Sequence, residues 1–308
     1  MMQKWMRLLV CAMFLVSGMG MVSAGTPDSL PEKLAMLEQD TYGAEQPGAI
    51  MDRLNRLEKD YNGRHNAGSM MVRVDALYDE VYVNEKSPSK QAMLNAIEWS
   101  LRNVVSRKPV QQRIDDLEME ISGKNSEGSF SARIDELAGL SFGADVPPMV
   151  QVHVPADTLV KVALSEAVSS RNIKVGDTVR CRVAEDVMVD GALVFLKGAE
   201  GEGVVTKVKQ AKSFGRSAEI HVDFKKARTV DGSYVDTLVG EAAKSEMKRL
   251  SMAAGASLAG MALVGPIGIV TGIFVKGKDV ELPEGTEVFI QTGRDETLYG
   301  IRAEMAAQ

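Results

Sequence analysis

Residues 53–68 read RLNRLEKDYNGRHNAG, and residues 113–128 read RIDDLEMEISGKNSEG. The two stretches carry arginine, a leucine or isoleucine pair, glutamate and glycine at matching places. The pattern extends over residues 30–145 with a period of 20 residues, and its central apolar column is occupied in phase by Leu37, Leu57, Leu77, Ile97, Leu117 and Leu137. Self-similarity at a fixed period is the signature of a repeat architecture. The first half of the chain is therefore predicted to consist of six copies of one unit.

Each copy predicts one short amphipathic helix. In the second copy, Ile50, Leu54, Leu57 and Tyr61 follow one another at spacings of 4, 3 and 4 residues, which places them on one helical face. Helix starts are predicted at Ser29, Ser69, Ser87 and Ser129, and stops at Gly43, Gly63, Gly123 and Gly143. A continuous helix would turn about 200° beyond whole turns every 20 residues, so successive stripes would face opposite sides. We therefore expect about six helices of roughly 10–13 residues separated by loops.

The fourth copy departs from the pattern. It lacks the arginine and the closing glycine, and it carries Trp99. We expect the array to bend or to be contacted at this copy. A single short helix cannot bury its apolar stripe alone, so the copies must pack on one another or on another chain.

These repeats resemble the RLxxLExxxxGxxxxG helical repeats of exported bacterial proteins of unknown role. The resemblance covers about a third of the chain. It implies an exported bacterial scaffold and no particular activity. Two roles remain open for this part: a module that contacts proteins or faces the cell wall, and a spacer that holds the second half at a distance.

The apolar period changes to two in the second half. The stretches DVMVDGALVFL (186–196) and ARTVDGSYVDTLV (227–239) each place Asp-Gly between alternating apolar residues, which predicts type I′ hairpin turns at 190–191 and 231–232. Roughly seven or eight short strands predict a small antiparallel barrel or sandwich. In one of them Ile220, Val222 and Phe224 are expected to point inward, and Glu219, His221 and Asp223 outward. The predicted fold class is α+β in two parts.

Three stretches of this half resemble a known family: TLVKVALSEAVSS (158–170), VMVDGALVFLKGAEGEGVV (187–205) and SFGRSAEIHVDF (213–224). They are similar to the C-terminal β-barrel of the type IV secretion and conjugation core-complex channel subunit, over residues 150–295. The resemblance implies a small barrel with an inserted hydrophobic helical segment. The chain departs from that family because a cleavable signal replaces the inner-membrane anchor and the proline-rich linker.

Residues 251–275 read SMAAGASLAGMALVGPIGIVTGIFV and carry no charge. If the flanking strands belong to one barrel, both ends of this run emerge on the same side of any bilayer, so the run must fold back. Gly265-Pro266 is the natural breaker. It leaves arms of about 13 and 9 residues, each near 20 Å or less at about 1.5 Å per residue, which is short of a hydrocarbon core of about 30 Å.

The run is therefore predicted to be a glycine-rich helical hairpin inserted in the barrel. Small residues allow its arms to approach closely, and flanking basic residues suit anionic lipid head groups. The predicted membrane or interface residues are Gly255, Gly260, Gly265, Pro266, Gly268, Gly272 and Phe274, and the predicted head-group contacts are Lys248, Arg249, Lys276 and Lys278. The alternative is a hairpin that packs on the barrel or at an oligomer interface without contacting lipid.

The N-terminus predicts export. Lys4 and Arg7 precede the apolar run 8–16, and Val22-Ser23-Ala24 forms an A-x-A-like cleavage site. We expect cleavage after Ala24; an uncleaved anchor helix and lipidation at Cys11 are the alternatives. The predicted domains are a signal peptide at 1–24, helical repeats at 25–145, a linker at 146–154, a barrel-like domain at 155–300 and a tail at 301–308.

Charge and cysteine content exclude several protein classes. Removal of Lys4 and Arg7 leaves 34 of the 36 basic residues against 42 acidic ones, and such a surface argues against binding a nucleic-acid backbone. After cleavage only Cys181 remains, which excludes a disulfide framework within the chain. Its place in VRCRV, residues 179–183, predicts a small buried side chain on the apolar face of a strand.

Catalytic motifs are sparse. His65, His153 and His221 are far apart, with no metal-ligand spacing. Ser245 and Lys248 match S-x-x-K, but the companion motifs of the penicillin-recognising enzymes are absent. We expect no enzymatic activity, no cofactor and no metal.

Two main functional hypotheses follow. The first is an exported, non-enzymatic cell-envelope scaffold or assembly protein in the periplasm or at the outer membrane. It would be membrane-associated through the hairpin, with repeats that contact membrane or envelope proteins and with possible homo-oligomers. The second is a soluble periplasmic or secreted adaptor that binds a cell-wall polymer. A hydrolase that uses Ser245 and Lys248 is a third, weaker hypothesis.

Overall fold

The computed structural model of the 308-residue chain describes residues 27, 29–143, 149–210, 218–253, 273–277 and 280–302. Six helices form the first part: α1 Leu30–Tyr42, α2 Ile50–Asn62, α3 Met70–Tyr82, α4 Lys90–Arg102, α5 Val110–Ser122 and α6 Phe130–Phe142. Strands dominate the second part. The predicted α+β fold in two parts is confirmed.

The six helices reproduce the sequence repeat. Each has 13 residues, and each begins 20 residues after the one before. Ser29 forms a capping box with Glu32, and Gly43 ends α1 in the left-handed conformation with φ 86°. In the fourth copy, which lacks the glycine, Asn103 adopts the left-handed conformation with φ 52°. Short polar residues such as asparagine tolerate this conformation better than most.

The start of α4 was predicted two residues too early. Its N-cap is Ser89, whose side chain accepts a hydrogen bond from the Ala92 N–H, and not Ser87. The preceding loop is held by Asn84, whose side-chain oxygen accepts the Ser89 N–H at 2.8 Å. Because the Asn84 side chain also donates to the Asp231 carbonyl and to Ser233 Oγ, contacts with the second part of the chain hold the loop from which the helix starts.

The repeats pack on one another within the chain. Helix α1 contacts α2, α3 and α5, while α6 contacts α2, α4 and α5. Because helices distant in sequence meet, the apolar stripes enclose a common core. It contains Leu34, Leu37, Leu54, Leu57, Leu77, Leu94, Ile97, Ile114 and Leu117. Tyr61 and Phe130 meet edge to face inside it, with ring centroids 5.5 Å apart. The first part is a six-helix bundle.

A buried ion pair joins successive helices and explains two signature residues of the repeat. In each pair, a glutamate carboxylate oxygen of one copy lies 2.5–2.8 Å from a guanidinium nitrogen of the arginine 15 residues later. The pairs are Glu38–Arg53, Glu58–Arg73, Glu98–Arg113 and Glu118–Arg133. The glutamate side chains are at most 3% exposed. Three of the four also accept a loop N–H at 3.0 Å, from Gln46, Ser106 and Ser126.

The third and fourth copies lose both partners of this pair together. Tyr78 occupies the glutamate position, and Met93 occupies the arginine position 15 residues later. Both side chains belong to or pack on the bundle core. Lys33, at the arginine position of the first copy, lies 5.1 Å above the Tyr78 ring. Replacement of either residue alone would leave an unpaired buried charge, which strongly destabilises a folded protein. Replacement of both residues avoids this.

We predict that Glu118→Gln destabilises the protein by about 2 kcal/mol, because it removes the buried counter-charge of Arg133 and leaves the part-exposed Asp115, 2.6 Å away, to compensate the guanidinium. Chemical denaturation monitored by circular dichroism measures this loss. The control is Glu120→Gln, which removes a half-exposed partner of Arg102 and is expected to cost at most about 1 kcal/mol. Equal losses in the two variants would contradict the structural role of the buried pair.

The stability difference between wild type and Glu118→Gln is expected to depend on pH. Burial alone would raise the pKa of Glu118, but hydrogen bonds from Arg133 and Ser126 and the Arg133 charge outweigh it, and the pKa is lowered from its ordinary 4.5. A lowered folded-state pKa stabilises the fold above the ordinary value, and this contribution is lost as the pH falls through the folded-state value. The stability difference between wild type and Glu118→Gln therefore narrows on acidification below about pH 4.5.

The second part contains thirteen strands and one helix within the residues that the structure describes. They are β1 Val150–Val154, β2 Leu159–Leu164, β3 Val168–Ser169, β4 Thr178–Val183, β5 Val187–Val189, β6 Ala192–Phe195, β7 Glu200–Lys209, β8 Ala218–Arg228, β9 Tyr234–Leu238, α7 Glu241–Ala253, β10 Ile273–Gly277, β11 Glu281–Leu282, β12 Glu287–Thr292 and β13 Glu296–Arg302. This exceeds the seven or eight strands predicted, because several are only two to four residues long.

Six strands form a closed antiparallel barrel. They are hydrogen-bonded in the order β8-β7-β4-β2-β12-β9, and β9 also pairs with β8, which closes the ring. Closure removes unpaired sheet edges. The interior is apolar and includes Val160, Val162, Val179, Val205, Ile220, Val222, Phe224, Val288 and Ile290. The inward orientation predicted for Ile220, Val222 and Phe224 is confirmed. Glu219, expected to point outward, is only 9% exposed because Lys207 and Lys209 cover its carboxylate.

A second antiparallel sheet has the order β1-β13-β6-β5. Strand β1 lies within residues 146–154, which the sequence analysis assigns to a linker. Its VQVHV segment pairs along its whole length with β13, near the end of the described chain. This long-range pairing has no local sequence signal. The β5–β6 hairpin has the predicted two-residue turn, with positive φ at both Asp190 (49°) and Gly191 (77°), as a type I′ turn requires.

The second Asp-Gly turn has a different geometry from the one predicted. The loop between β8 and β9 spans 229–233, and only Gly232 has a positive φ, of 87°, whereas Asp231 does not. The Asp231 carboxylate is 1% exposed and accepts hydrogen bonds from Thr229 Oγ1, the Ser233 N–H and the Tyr299 N–H. These bonds tie the loop to β13, which is why a type I′ turn does not form.

Cys181 is buried in the barrel at 2% exposure, and burial raises its pKa to about 12. The reactive species of a cysteine is the thiolate. We therefore predict that the full chain carrying Cys11→Ser, in which Cys181 is the single thiol, is not modified by a thiol reagent at pH 8 until urea unfolds it. Rapid modification of the folded protein would contradict this placement.

Candidate functional site

Helix α7 is attached to the barrel by one apolar stripe. Ala243, Met247 and Leu250, spaced by four and three residues, pack on the barrel core. The helix contacts β12, and the Ala243 N–H donates to Gln291 Oε1 at 3.0 Å. Gln291 is buried and donates in turn to Asp157. The first turn of α7 is thus fixed to the barrel wall.

The chain returns from α7 to the strand edge that it left. Strand β9 pairs with β8 as far as Lys226, and β10 pairs with the same edge of β8 from Val222 onward. Strand β7 occupies the opposite edge. The two pairings are four residue steps apart on β8, from Lys226 to Val222, or about 13 Å. Strands β9 and β10 thus follow one another along the same edge of β8, and residues 239–272 form the excursion that connects them.

The uncharged run predicted as one hairpin is divided by the structure. Residues 251–253 belong to α7 and residues 273–275 to β10, which leaves 254–272 between the two elements. This interval contains Gly255, Gly260, Gly265, Pro266, Gly268 and Gly272; like Lys278, they lie outside the described residues, so the hairpin itself remains a prediction. None of the helices in the described ranges is both apolar enough and long enough to span a bilayer.

The remaining predicted residues lie at the two ends of this interval. Lys248 and Arg249 are exposed on α7, and Arg249 forms an ion pair with Glu246 at 2.5 Å. In β10, Phe274 lies opposite His221 and Lys276 lies opposite Glu219. Ser245 and Lys248, the S-x-x-K pair, are both exposed on the described part of α7 and form no hydrogen bond with each other. Among the described residues, no group of three His, Cys, Asp or Glu residues could hold a metal.

The helical bundle docks on the strand-rich part through its atypical fourth copy. Ala92, Ala96 and Trp99 of α4 form one apolar cluster with residues of the second sheet and neighbouring loops, namely Met149, Leu193, Leu196, Val230, Tyr299 and Ile301. Trp99 is 7% exposed there. The expectation that this copy is a contact point is confirmed, and its contact is within the chain.

Polar contacts fix the same junction. The Asn95 side chain donates to the Val230 carbonyl at 2.9 Å and accepts from Arg113 at 2.8 Å. The Asn84 side chain donates to the Asp231 carbonyl at 3.0 Å. The loop whose turn type was predicted wrongly is therefore part of the docking surface, which explains its unusual internal hydrogen bonds.

A cleft of about 770 Å³ lies beside this junction, between the bundle and the barrel. Its charged lining residues are Asp40, Arg107, Lys108 and Arg113 on the bundle side and Arg182, Lys197, Glu200 and Arg228 on the barrel side. Arg107, in the loop between α4 and α5, reaches across to Glu200 at 3.2 Å and to the Gly198 carbonyl at 3.3 Å. The cleft volume is in the range of small-molecule sites.

Burial affects the two charged groups deepest on the bundle side. Burial raises the pKa of Asp40, although a hydrogen bond from Tyr82 and the charges of Arg228 and Arg113 act in the opposite sense. Burial also lowers the pKa of Arg113, against the opposing effect of its partner Glu98. The cleft therefore extends from exposed side chains at its mouth to poorly solvated ones beneath.

The cleft has no signature in the sequence. Its charged residues come from separate stretches between residues 40 and 228, and no motif joins them. The one usable signal was the altered fourth copy, because it marks where the bundle is contacted, but the sequence does not reveal the contacting surface.

Comparisons with known proteins add little to this description. No family model matches the sequence, and no curated protein matches it. Among solved structures, the chain matches ComB10 of the Com type IV secretion system of Helicobacter pylori. The match has 15% identity, covers 48% of this chain and 96% of that chain, and has a TM-score of 0.26. A TM-score this low supports no inference about the function of this chain.

We predict that Trp99→Ala destabilises the protein by about 3 kcal/mol, because it leaves a large cavity between two packed layers. Since Trp99 joins the bundle to the strand-rich part, the variant should also unfold in two calorimetric transitions where wild type shows one. The control is Leu101→Ala on the same helix, which removes a 39% exposed side chain. A single transition and unchanged stability in Trp99→Ala would contradict the docking described here.

Proposed function

We propose that the protein is an exported, non-enzymatic scaffold of the cell envelope that associates with a membrane through the uncharged interval 254–272. The observation that carries the proposal is the shared edge of β8. The chain leaves this edge after β9 and returns to it in β10. The interval itself starts after α7, which packs on the barrel through Ala243 and Met247, and it ends at β10. Both flanking elements are thus held on one barrel, which suits a segment that enters a bilayer from one side and comes back.

The composition of the interval supports insertion. Residues 254–272 contain no charge, five glycines and one proline. Nineteen residues that must leave and return reach only part of the way through a hydrocarbon core of about 30 Å, since each helical arm would rise about 1.5 Å per residue. Lys248 and Arg249 flank the interval on α7, and Lys276 flanks it in β10. Basic residues at both ends favour anionic head groups.

The bundle would provide the protein contacts of the scaffold. Its apolar stripes already meet in an internal core, so a partner must be recognised by the outer helix faces. Residues 25–148 carry 14 basic and 21 acidic residues, which favours partners with a basic surface. Docking of α4 on the strand-rich part fixes the orientation of these faces relative to the barrel.

A soluble adaptor for a cell-wall polymer is the second candidate. The cationic residues of the cleft favour it, since many envelope polymers are anionic and such a role needs no membrane. The two candidates differ in a property that is simple to measure, namely whether the purified protein binds lipid.

We predict that the full chain floats with anionic vesicles in a density gradient, and that replacing 254–272 by a Gly-Ser linker of equal length abolishes flotation, because the linker has no apolar side chains to insert. The double variant Lys248→Glu/Arg249→Glu should weaken binding to anionic vesicles by roughly thirtyfold or more, because each basic residue near the surface contributes about 1 kcal/mol and the new carboxylates are repelled. Lys174→Glu, an exposed lysine outside α7 and β10, is the matched control. Flotation of the linker variant equal to that of wild type would refute membrane association through this interval.

A further inference from the structure

The cleft between bundle and barrel has an excess of positive charge that the proposed scaffold role does not use. Its lining has six cationic side chains, Arg107, Lys108, Arg113, Arg182, Lys197 and Arg228, and two carboxylates, Asp40 and Glu200. The chain as a whole has a net charge of −6. A local excess of the opposite sign on an acidic protein is not a consequence of average composition.

The barrel wall of the cleft arranges its charges in a row across three strands. Arg182 of β4 lies directly opposite Glu200 of β7. Arg228 of β8 follows Ala227, which lies opposite Gly201, so it is next to Glu200 on the other side. Arg107 approaches the same carboxylate from the bundle at 3.2 Å. Three guanidinium groups are thus grouped around one carboxylate, which leaves two positive charges uncompensated.

The bundle wall does not neutralise this excess. Lys108 is paired with Asp116 at 2.5 Å, and Arg113 with Glu98 at 2.8 Å. Asp40 is the remaining carboxylate, and burial raises its pKa, which disfavours its charged form. Arg228 is half-buried, with its guanidinium 5.9 Å from the Tyr234 ring centroid. A cation–π contact of this kind favours this position of the guanidinium group without cancelling its charge.

We propose that this cleft binds a phosphate-bearing anion, with Arg182 and Arg228 as its principal donors and Arg107 as the donor from the bundle. Guanidinium groups present paired N–H donors that match phosphate geometry. A phosphate monoester carries about 1.5 to 2 negative charges at neutral pH, which matches the two uncompensated arginines. The volume of about 770 Å³ admits a phosphate together with the group that it esterifies.

Binding of an anion in the cleft would also stabilise the docking of the bundle on the barrel. The donors come from both halves of the chain, so a bound anion bridges the bundle and the barrel. A ligand that binds only the docked form stabilises it in proportion to the logarithm of its concentration above the dissociation constant. The unfolding temperature therefore rises with added ligand.

The test is isothermal titration of the full chain with inorganic pyrophosphate and, separately, with glycerol 3-phosphate. We expect saturable binding at one site, weakened by rising salt because the contacts are ionic. Arg182→Gln and Arg228→Gln should each weaken binding about tenfold or more, the usual effect of losing a hydrogen bond between charged groups. Arg294→Gln is the control, since Arg294 is exposed, pairs with Glu296 and does not line the cleft.

The outcomes are distinct. No saturable binding of either probe up to about 1 mM, a concentration that detects contacts worth about 4 kcal/mol, overturns the proposal. Tighter binding of succinate than of pyrophosphate, or equal loss in Arg294→Gln, overturns it as well. If Arg228→Gln fails to fold, the exposed Arg182 gives the deciding variant, because its replacement removes no buried group.

A second experiment distinguishes two sources of the phosphate, a lipid head group and a soluble or polymer-borne phosphate. It uses the variant in which a linker replaces residues 254–272. Binding of this variant to a soluble short-chain phosphatidylglycerol, competed by pyrophosphate and lost with Arg182→Gln, assigns the site to a lipid head group. Binding to free pyrophosphate alone assigns it to a soluble or polymer-borne phosphate. Either result supports the cleft, and neither depends on membrane insertion of 254–272.

Discussion

One edge of strand β8 determines the organisation of the second half of the protein. Strands β9 and β10 share this edge in succession, and β7 occupies the other. Pairing with β9 closes the six-stranded barrel, and pairing with β10 returns the chain to it after the apolar interval. Because backbone hydrogen bonds fix β9 before the excursion and β10 after it, the chain returns to β8 close to where it left. The membrane proposal follows from this constraint together with the absence of charge.

The first half depends on a different interaction, the buried glutamate–arginine pair between successive helices. Where the pair is lost, both partners are replaced together, as Tyr78 and Met93 show. In the fourth copy, which contains Met93, the outer side of the helix becomes a docking surface through Trp99. The copy that deviates most from the repeat is thus the one that contacts the barrel. Local departures from a sequence rule commonly mark sites with an additional role.

The sequence predicts what is local and periodic in this protein. The helices, the Asp190-Gly191 turn and the buried face of Cys181 follow from spacing within a few residues. The structure differs where distant segments decide. Asn84, which fixes the N-cap of α4, is itself hydrogen-bonded to Asp231 and Ser233. The Asp231 carboxylate accepts the Tyr299 N–H, and its loop does not form a type I′ turn. Strand β1, within the predicted linker, pairs with β13. The cleft is the extreme case, because its charged residues meet only after the bundle and the barrel have docked.

The most direct test of the shared-edge constraint is the sidedness of its two ends on a membrane. Single cysteines placed at Ser245, before the interval, and at Glu281, after it, can be labelled with a membrane-impermeant maleimide on vesicle-bound protein in a Cys11→Ser background. Both positions are exposed in the structure. The account predicts complete labelling of both from outside the vesicles. Protection of one position until detergent is added would show that the segment crosses the bilayer once, and would contradict the return of the chain to β8.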